Sequence, residues 1–166
     1  MGPVRGRILI VDDEEAILES LELTLGTEYR VFTATSAEEG LAILDREEIA
    51  LVLSDQVMPG MSGVEFLEKV IECKPQTVRM MLTGYADIHS IVRAINDGRI
   101  YRYIQKPWDN AHLLLVIRNA LERRHLLRAL QVVELSVVVD GLGQGVSDRR
   151  RLGAPGAADR FGHDPH

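Results

Sequence analysis

Three aspartates stand where apolar segments stop. Ile8-Leu9-Ile10-Val11 runs into Asp12 and Asp13, and Leu51-Val52-Leu53-Ser54 runs into Asp55, with a Pro59-Gly60 turn close behind. A strand that carries a carboxylate to its tip, followed at once by a turn, presents an acid for chemistry. Two further apolar segments end in Thr83-Gly84 and in Lys106-Pro107. Three carboxylates gathered within a few ångströms repel one another, at a cost of several kcal/mol in a partly desolvated site. A compensating cation is expected, and hard oxygen ligands beside phosphate chemistry point to Mg²⁺, held directly by one or two carboxylates and otherwise by water. Lys106 supplies a point charge on a long stem, suited to gripping a phosphoryl oxygen. Pro107 behind it favours a fixed, even cis, backbone. Thr83 offers a hydroxyl to another oxygen, and Gly84 leaves room for the group to enter. The set reads as an acyl-phosphate site with Asp55 as its centre. Each residue also has a plainer reading: Asp13 as a helix N-cap, Thr83 as a strand-end turn residue, Lys106 as a surface lysine. The combination favours the site.

The elements that must position these residues follow from hydrophobic period. Short apolar runs at 8–11, 29–33, 51–53, 78–82 and 100–104 read as strands. Between them, stretches of helical spacing cover 14–25, 37–44, 64–71 and 88–95, and a long helix starts near Asn110. Ile17, Leu21 and Leu25 share one face of the first helix, and Ile88, Ile91, Val92 and Ile95 one face of the fourth. Ser36 with Glu39 resembles a capping box, while Asp87 and Asp109 are caps for the fourth and fifth helices. Strict alternation implies right-handed crossovers and a parallel α/β sheet, doubly wound and covered on both faces. In such a sheet ligands bind beyond the carboxyl ends of the strands. Asp12, Asp13, Asp55, Thr83 and Lys106 all fall there and are expected to converge in one pocket.

The 166 residues, 46% hydrophobic, suffice for the core of one ordinary domain plus a tail. A net charge of -6 argues against general nucleic-acid binding, which wants a basic stripe. The single Cys73 excludes an internal disulfide, and no apolar run approaches the ~20 residues of a membrane span. The first residues lack the apolar core of a secretory signal. Cytoplasm is the expected location, with no membrane contact. Apolar positions at helical spacing, from Leu113 through Leu130 and Val133, carry the last helix past the domain, so 126–139 is read as a helical extension able to form a short coiled coil. From Asp140 the glycines Gly141, Gly143 and Gly145 predict a disordered tail or linker over 140–166. Its Arg149–Arg151 run is read as solvated linker and its His163/His166 pair as a weak metal pattern. Cys73 is read as a packed or half-exposed side chain, His89, His112 and His125 as surface residues, and Trp108 as packing over the loop.

With these residues in place, the chain from about Arg7 to Arg124 resembles a receiver domain of two-component response regulators. The resemblance implies a flavodoxin-like five-stranded parallel sheet in the order 2-1-3-4-5 with five helices. The family pattern falls residue by residue on the acidic pair Asp12 and Asp13, the phosphoacceptor Asp55, the hydroxyl of Thr83 and the lysine Lys106. It further implies a metal-binding backbone carbonyl at Val57 and an aromatic switch at Tyr103. The wording Ser54-Asp55-Gln56 through Phe66, Leu82-Thr83-Gly84-Tyr85 and Tyr101 through Asp109 is similar to receivers attached to HD-GYP phosphodiesterases, hydrogenase-type regulators or kinases. The implied partners are a sensor histidine kinase or phosphotransfer protein and an output domain or downstream effector, while the helical extension adds a second copy of the chain or a docking partner. On this reading 5–125 is the receiver domain, its only catalysis is its own phosphorylation and dephosphorylation, and the chain is either a stand-alone receiver or part of a longer protein.

Rival readings make different demands. A phosphatase or phosphotransferase of haloacid-dehalogenase type wants a second Asp two residues after the nucleophile, where Val57 stands. A flavodoxin-like nucleotide binder wants a Gly- or hydroxyl-rich loop after the first strand. Asp12-Asp13-Glu14-Glu15 there would repel phosphate. A phosphorylation-independent interaction module would not need the complete acceptor set.

Overall fold

The computed structural model describes residues 5–84 and 88–148. Ten elements alternate in chain order: β1 (Arg7–Val11), α1 (Glu15–Leu25), β2 (Arg30–Ala34), α2 (Ala37–Arg46), β3 (Leu51–Asp55), α3 (Gly63–Cys73), β4 (Val78–Thr83), α4 (Ile88–Asn96), β5 (Arg102–Gln105) and α5 (Asn110–Asp148). All strand pairs are parallel and the sheet order is β2-β1-β3-β4-β5, so the expected topology is observed. The order reverses between β1 and β3, which places the tips of those two strands at the crevice where such sheets bind ligands.

Alternation along each strand divides the core into two layers. Leu9, Val11, Val52 and Met81 face a cluster completed by Ile43 and Leu44 of α2, Phe66, Leu67 and Val70 of α3, and Ile91 and Ala94 of α4. Ile8, Ile10, Leu51, Leu53, Met80 and Leu82 face the opposite cluster, with Leu18, Leu21 and Leu25 of α1 and Leu113, Val116, Ile117 and Ala120 of α5. β3 is buried at every position, as a central strand covered on both faces must be.

The caps are largely those expected. Ser36 accepts the Glu39 N–H at 3.2 Å, and Asp109 accepts the His112 N–H at 3.0 Å. The Glu39 carboxylate returns to Thr35, one residue before the cap, taking both its N–H and its hydroxyl. β5 begins two residues later than its apolar run, because Ile100 turns into the first core cluster while Tyr101 lies exposed under the Arg123 guanidinium. Cys73 is exposed and not packed, because α3 ends at this residue, although its place three residues after Val70 and seven after Phe66 continues the side of the helix that those two bury.

Two units divide the chain, one ending at His125 and the other beginning at Leu126. The first holds the sheet and its covering helices. The second contains the later part of α5, where Leu126, Leu127, Leu130, Val132 and Val133 are all exposed. The break expected at Asp140 is not there: α5 runs through Gly141, Gly143 and Gly145 to Asp148. A helical glycine costs about 1 kcal/mol relative to alanine but keeps its N–H in the ladder, and the next proline is Pro155. The rest of the expected tail, with Arg149–Arg151, His163 and His166, lies outside the described residues, as do Tyr85 and Asp87.

Candidate functional site

The site is built by the carboxyl ends of β1, β3, β4 and β5. Asp12 follows β1 directly and is 1% exposed. Its Oδ1 accepts the Glu14 N–H at 2.9 Å and its Oδ2 accepts from Lys106 Nζ at 3.1 Å. Glu14 is the N-cap of α1, so Asp13 does not cap that helix and stands exposed instead. Asp55 closes β3, is 8% exposed, and lies across from Leu82 of β4. Its Oδ1 accepts the Gln56 N–H at 2.8 Å and sits 3.4 Å from Lys106 Nζ. Lys106 follows β5 directly and precedes a cis peptide bond to Pro107, and its own N–H donates to the Thr83 carbonyl at 2.7 Å. Thr83 is buried at the end of β4, with its hydroxyl turned onto the Gly84 carbonyl at 3.2 Å.

Burial raises the Asp55 pKa, and the Asp12 charge adds to the effect; Lys106 and the Gln56 N–H oppose it without cancelling it. Burial works against the Lys106 ammonium, yet Asp12, and then Asp55, outweigh it and hold the lysine above its ordinary value. The pocket is thus short of positive charge. Asp12, Asp13 and Asp55 each offer a carboxylate oxygen, all within 4.8 Å of one another. Three hard anionic donors around one point, two of them buried, fit a small divalent cation of the Mg²⁺ kind.

Val57 lies on the rim, 67% exposed, and its carbonyl accepts no hydrogen bond among the described residues. Tyr103 is half-buried against the first core cluster, opposite Met81 in the sheet. Trp108 packs against the second cluster and donates to Asn110 Oδ1 at 2.9 Å. His89, His112 and His125 are exposed, as their helical positions implied.

Two residues of the site were not singled out from sequence, Gln56 and Gly63. The Gln56 carbonyl accepts the Gly63 N–H at 2.9 Å, and its side-chain Oε1 accepts the Val64 N–H at 2.9 Å. Ser62, the N-cap of α3, takes the Glu65 N–H at 3.2 Å. All three N–H groups that open α3 are therefore satisfied, two of them by the residue next to Asp55. A Cβ on Gly63 would overlap the Asp55 carbonyl, so only glycine lets the helix start this close to the strand end. The available signal was Ser62 followed by Gly63, a cap before a small first helical residue.

Comparison with known proteins places these residues in a family. Residues 8–118 match the response regulator receiver domain. The chain is 39% identical over 137 residues to the hydrogenase transcriptional regulatory protein HoxA of Cupriavidus necator, covering 82% of this chain and 28% of that one. It is 36% identical to the transcriptional regulatory protein GlrR of Escherichia coli, over 70% of this chain and 26% of that one. The chain thus spans little more than a quarter of these relatives' length. Among solved structures it is similar to the signal receiver domain of an HD domain-containing protein from Pseudomonas fluorescens Pf-5, at 40% identity and a TM-score of 0.70, over 77% of this chain and 95% of that one. A CheY-like receiver domain protein from Methanospirillum hungatei JF-1 aligns at 40% identity and a TM-score of 0.68, over 72% and 96% of the two chains.

Proposed function

The chain belongs to the response regulator receiver domain family, and on that premise we propose that it is a phosphorylation-operated switch whose phosphoacceptor is Asp55. The observation that carries this reading is the placement of Lys106 Nζ, 3.1 Å from Asp12 and 3.4 Å from Asp55, beside two buried carboxylates at the crevice of the sheet. In the transfer, an Asp55 carboxylate oxygen forms a bond to phosphorus as the P–N bond of a sensor kinase phosphohistidine breaks. With acetyl phosphate the bond broken is P–O. Catalysis is in-line positioning and charge neutralisation, with little covalent work for other side chains. Asp12, Asp13, Asp55 and the Val57 carbonyl would hold Mg²⁺, which when bound neutralises charge on the phosphoryl oxygens. Lys106 then grips one oxygen of the aspartyl phosphate.

The Thr83 hydroxyl, now on the Gly84 carbonyl, would exchange that partner for a phosphoryl oxygen. Tyr103 turns toward the space vacated, and the face of α4, β5 and α5 carries the change outward. Residues 5–125 are the receiver domain and the helix from Leu126 onward is an extension that pairs with a second copy. The partners are a sensor histidine kinase or phosphotransfer protein and an output domain or effector. The likeness to HoxA favours control of transcription as the output. No helix among the described residues is long and apolar enough to cross a membrane, consistent with work in the cytoplasm.

Incubation with acetyl phosphate and Mg²⁺ tests the reading. The intact mass should rise by one phosphoryl group, and Asp55→Asn should abolish the gain, since the amide is nearly isosteric but a far weaker nucleophile. A label retained in the Asn variant would place the chemistry elsewhere.

A further inference from the structure

We infer that Gln56 is a positioning residue for phosphoryl transfer, holding the Asp55 carboxylate in one rotation by anchoring the following peptide to α3. The inference rests on the reading of Asp55 as phosphoacceptor. Its observations are independent of that reading: Gln56 makes three hydrogen bonds that form a chain. Its Oε1 takes the Val64 N–H and its carbonyl takes the Gly63 N–H, both at 2.9 Å. Its own N–H, on the peptide between Asp55 and Gln56, donates to Asp55 Oδ1 at 2.8 Å. The two α3 contacts fix both ends of the residue, so the third bond points where the helix sets it.

The carboxylate responds to that direction. Both the Gln56 N–H and Lys106 Nζ fall on Oδ1, which fixes the rotation of the group and leaves Oδ2 without a hydrogen bond among the described residues, the oxygen left to attack phosphorus on the proposed reading. Gly63 permits the arrangement, because any Cβ there would push α3 off the Asp55 carbonyl. Stability of α3 does not by itself demand the Gln56 side chain. Ser62 caps that helix, and Val64 is only half-buried, so water is expected to take the place of Oε1. What water does not replace is the fixed tether between helix and strand tip.

The test compares Gln56→Met, which keeps length but removes the acceptor, with Gln56→Glu, which restores an oxygen toward Val64. The full chain is phosphorylated with acetyl phosphate at saturating Mg²⁺, and Mg²⁺ affinity is followed by Trp108 fluorescence. The Met variant should react about tenfold more slowly with Mg²⁺ affinity unchanged, the signature of a misaimed nucleophile. The Glu variant should recover most of the rate. A Met variant that reacts at the wild-type rate while melting earlier would reduce Gln56 to a helix cap and overturn the inference, as would a Glu variant as slow as Met. Hydrogen exchange of the Gln56 amide, read without any phosphoryl donor, gives a second measure: it should quicken about tenfold in the Met variant, and equal exchange overturns the tether. Failure of the wild type to take up phosphate while this amide behaves as expected would refute the Asp55 reading and leave the tether standing as a structural device without a role in transfer, which also overturns the inference.

Discussion

Lys106 donates to Asp12 across 3.1 Å although the two residues leave the sheet from β5 and β1, with β3 and β4 between them. The lysine thus spans the crevice and is the cation nearest two buried carboxylates, its side chain 22% exposed against 1% for Asp12. Replacing it leaves both acids without that charge. In chelator, Lys106→Met should lose about 2 kcal/mol in urea denaturation, less than the roughly 3–5 kcal/mol of a fully buried broken pair because water reaches the lysine. Added Mg²⁺ should restore part of the loss. Equal stability of the two proteins in chelator would show that the pair contributes nothing net.

Asp55 carries the opposite prediction. Its folded pKa is raised above the ordinary 3.8, first by burial and then by Asp12, so the folded state binds its proton more tightly than the unfolded chain does. Stability from this group is therefore present below the ordinary value and is lost as pH rises through the folded one. Without metal, Asp55→Asn should match the wild type in melting temperature near pH 3 and exceed it increasingly toward pH 7, with pH values here on the order of the carboxylate range. A gap that does not grow with pH would count against the close packing of the acids.

Gly63→Ala adds one methyl group where the Asp55 backbone already stands. Backbone does not yield as a flexible side chain does, so α3 must shift. The expected cost is about 2–3 kcal/mol, in the range of overpacking, together with slower phosphorylation. Chemical denaturation checks the first and acetyl phosphate kinetics the second. A neutral substitution would mean the helix start is looser than the contact implies.

The strand-end residues were legible because period and position coincide: an apolar run of strand length must end at the sheet rim, and Asp12, Asp55, Thr83 and Lys106 each follow such a run. Gln56 was not legible, since its partners on α3 lie seven and eight residues away and are reached only by a close approach that Gly63 allows. The same limit applies to Asp12, whose Oδ1 takes the N–H of Glu14, the residue that opens α1 where Asp13 was the expected cap. The end of α5 was misread for a different reason. Glycines lower helix propensity by about 1 kcal/mol each, which is a bias and not a stop, whereas a proline would have removed a donor and clashed.

The helix beyond His125 exposes Leu126, Leu127, Leu130, Val132 and Val133, between 52% and 64% of each residue. Leu126, Leu130 and Val133 follow the spacing of a coiled-coil seam. An isolated helix of this kind is marginal in water, so pairing with a second copy is the expected outcome. Sedimentation should find a dimer that Leu130→Glu with Val133→Lys converts to monomer, with the receiver's melting temperature little changed. A wild-type monomer at high concentration, phosphorylated or not, would reject the pairing.

With Asp55 as phosphoacceptor, the positions two residues after it and two after Thr83 are the ones expected to flank the phosphoryl group, and they hold Val57 and Tyr85. Val57 is 67% exposed on the rim. Tyr85 lies outside the described residues. Neither side chain is a general base, and both are bulky enough to obstruct in-line approach to phosphorus. The aspartyl phosphate should therefore be long-lived for its class. Val57→Asn with Tyr85→Ala should shorten its half-life about tenfold, on the order of 1.4 kcal/mol in barrier. Decay measured after removal of donor, at fixed Mg²⁺, gives the rate directly. A double variant that decays with the wild type would move control of the lifetime to Lys106 and the acid cluster, where Lys106→Met would then be the variant that changes it.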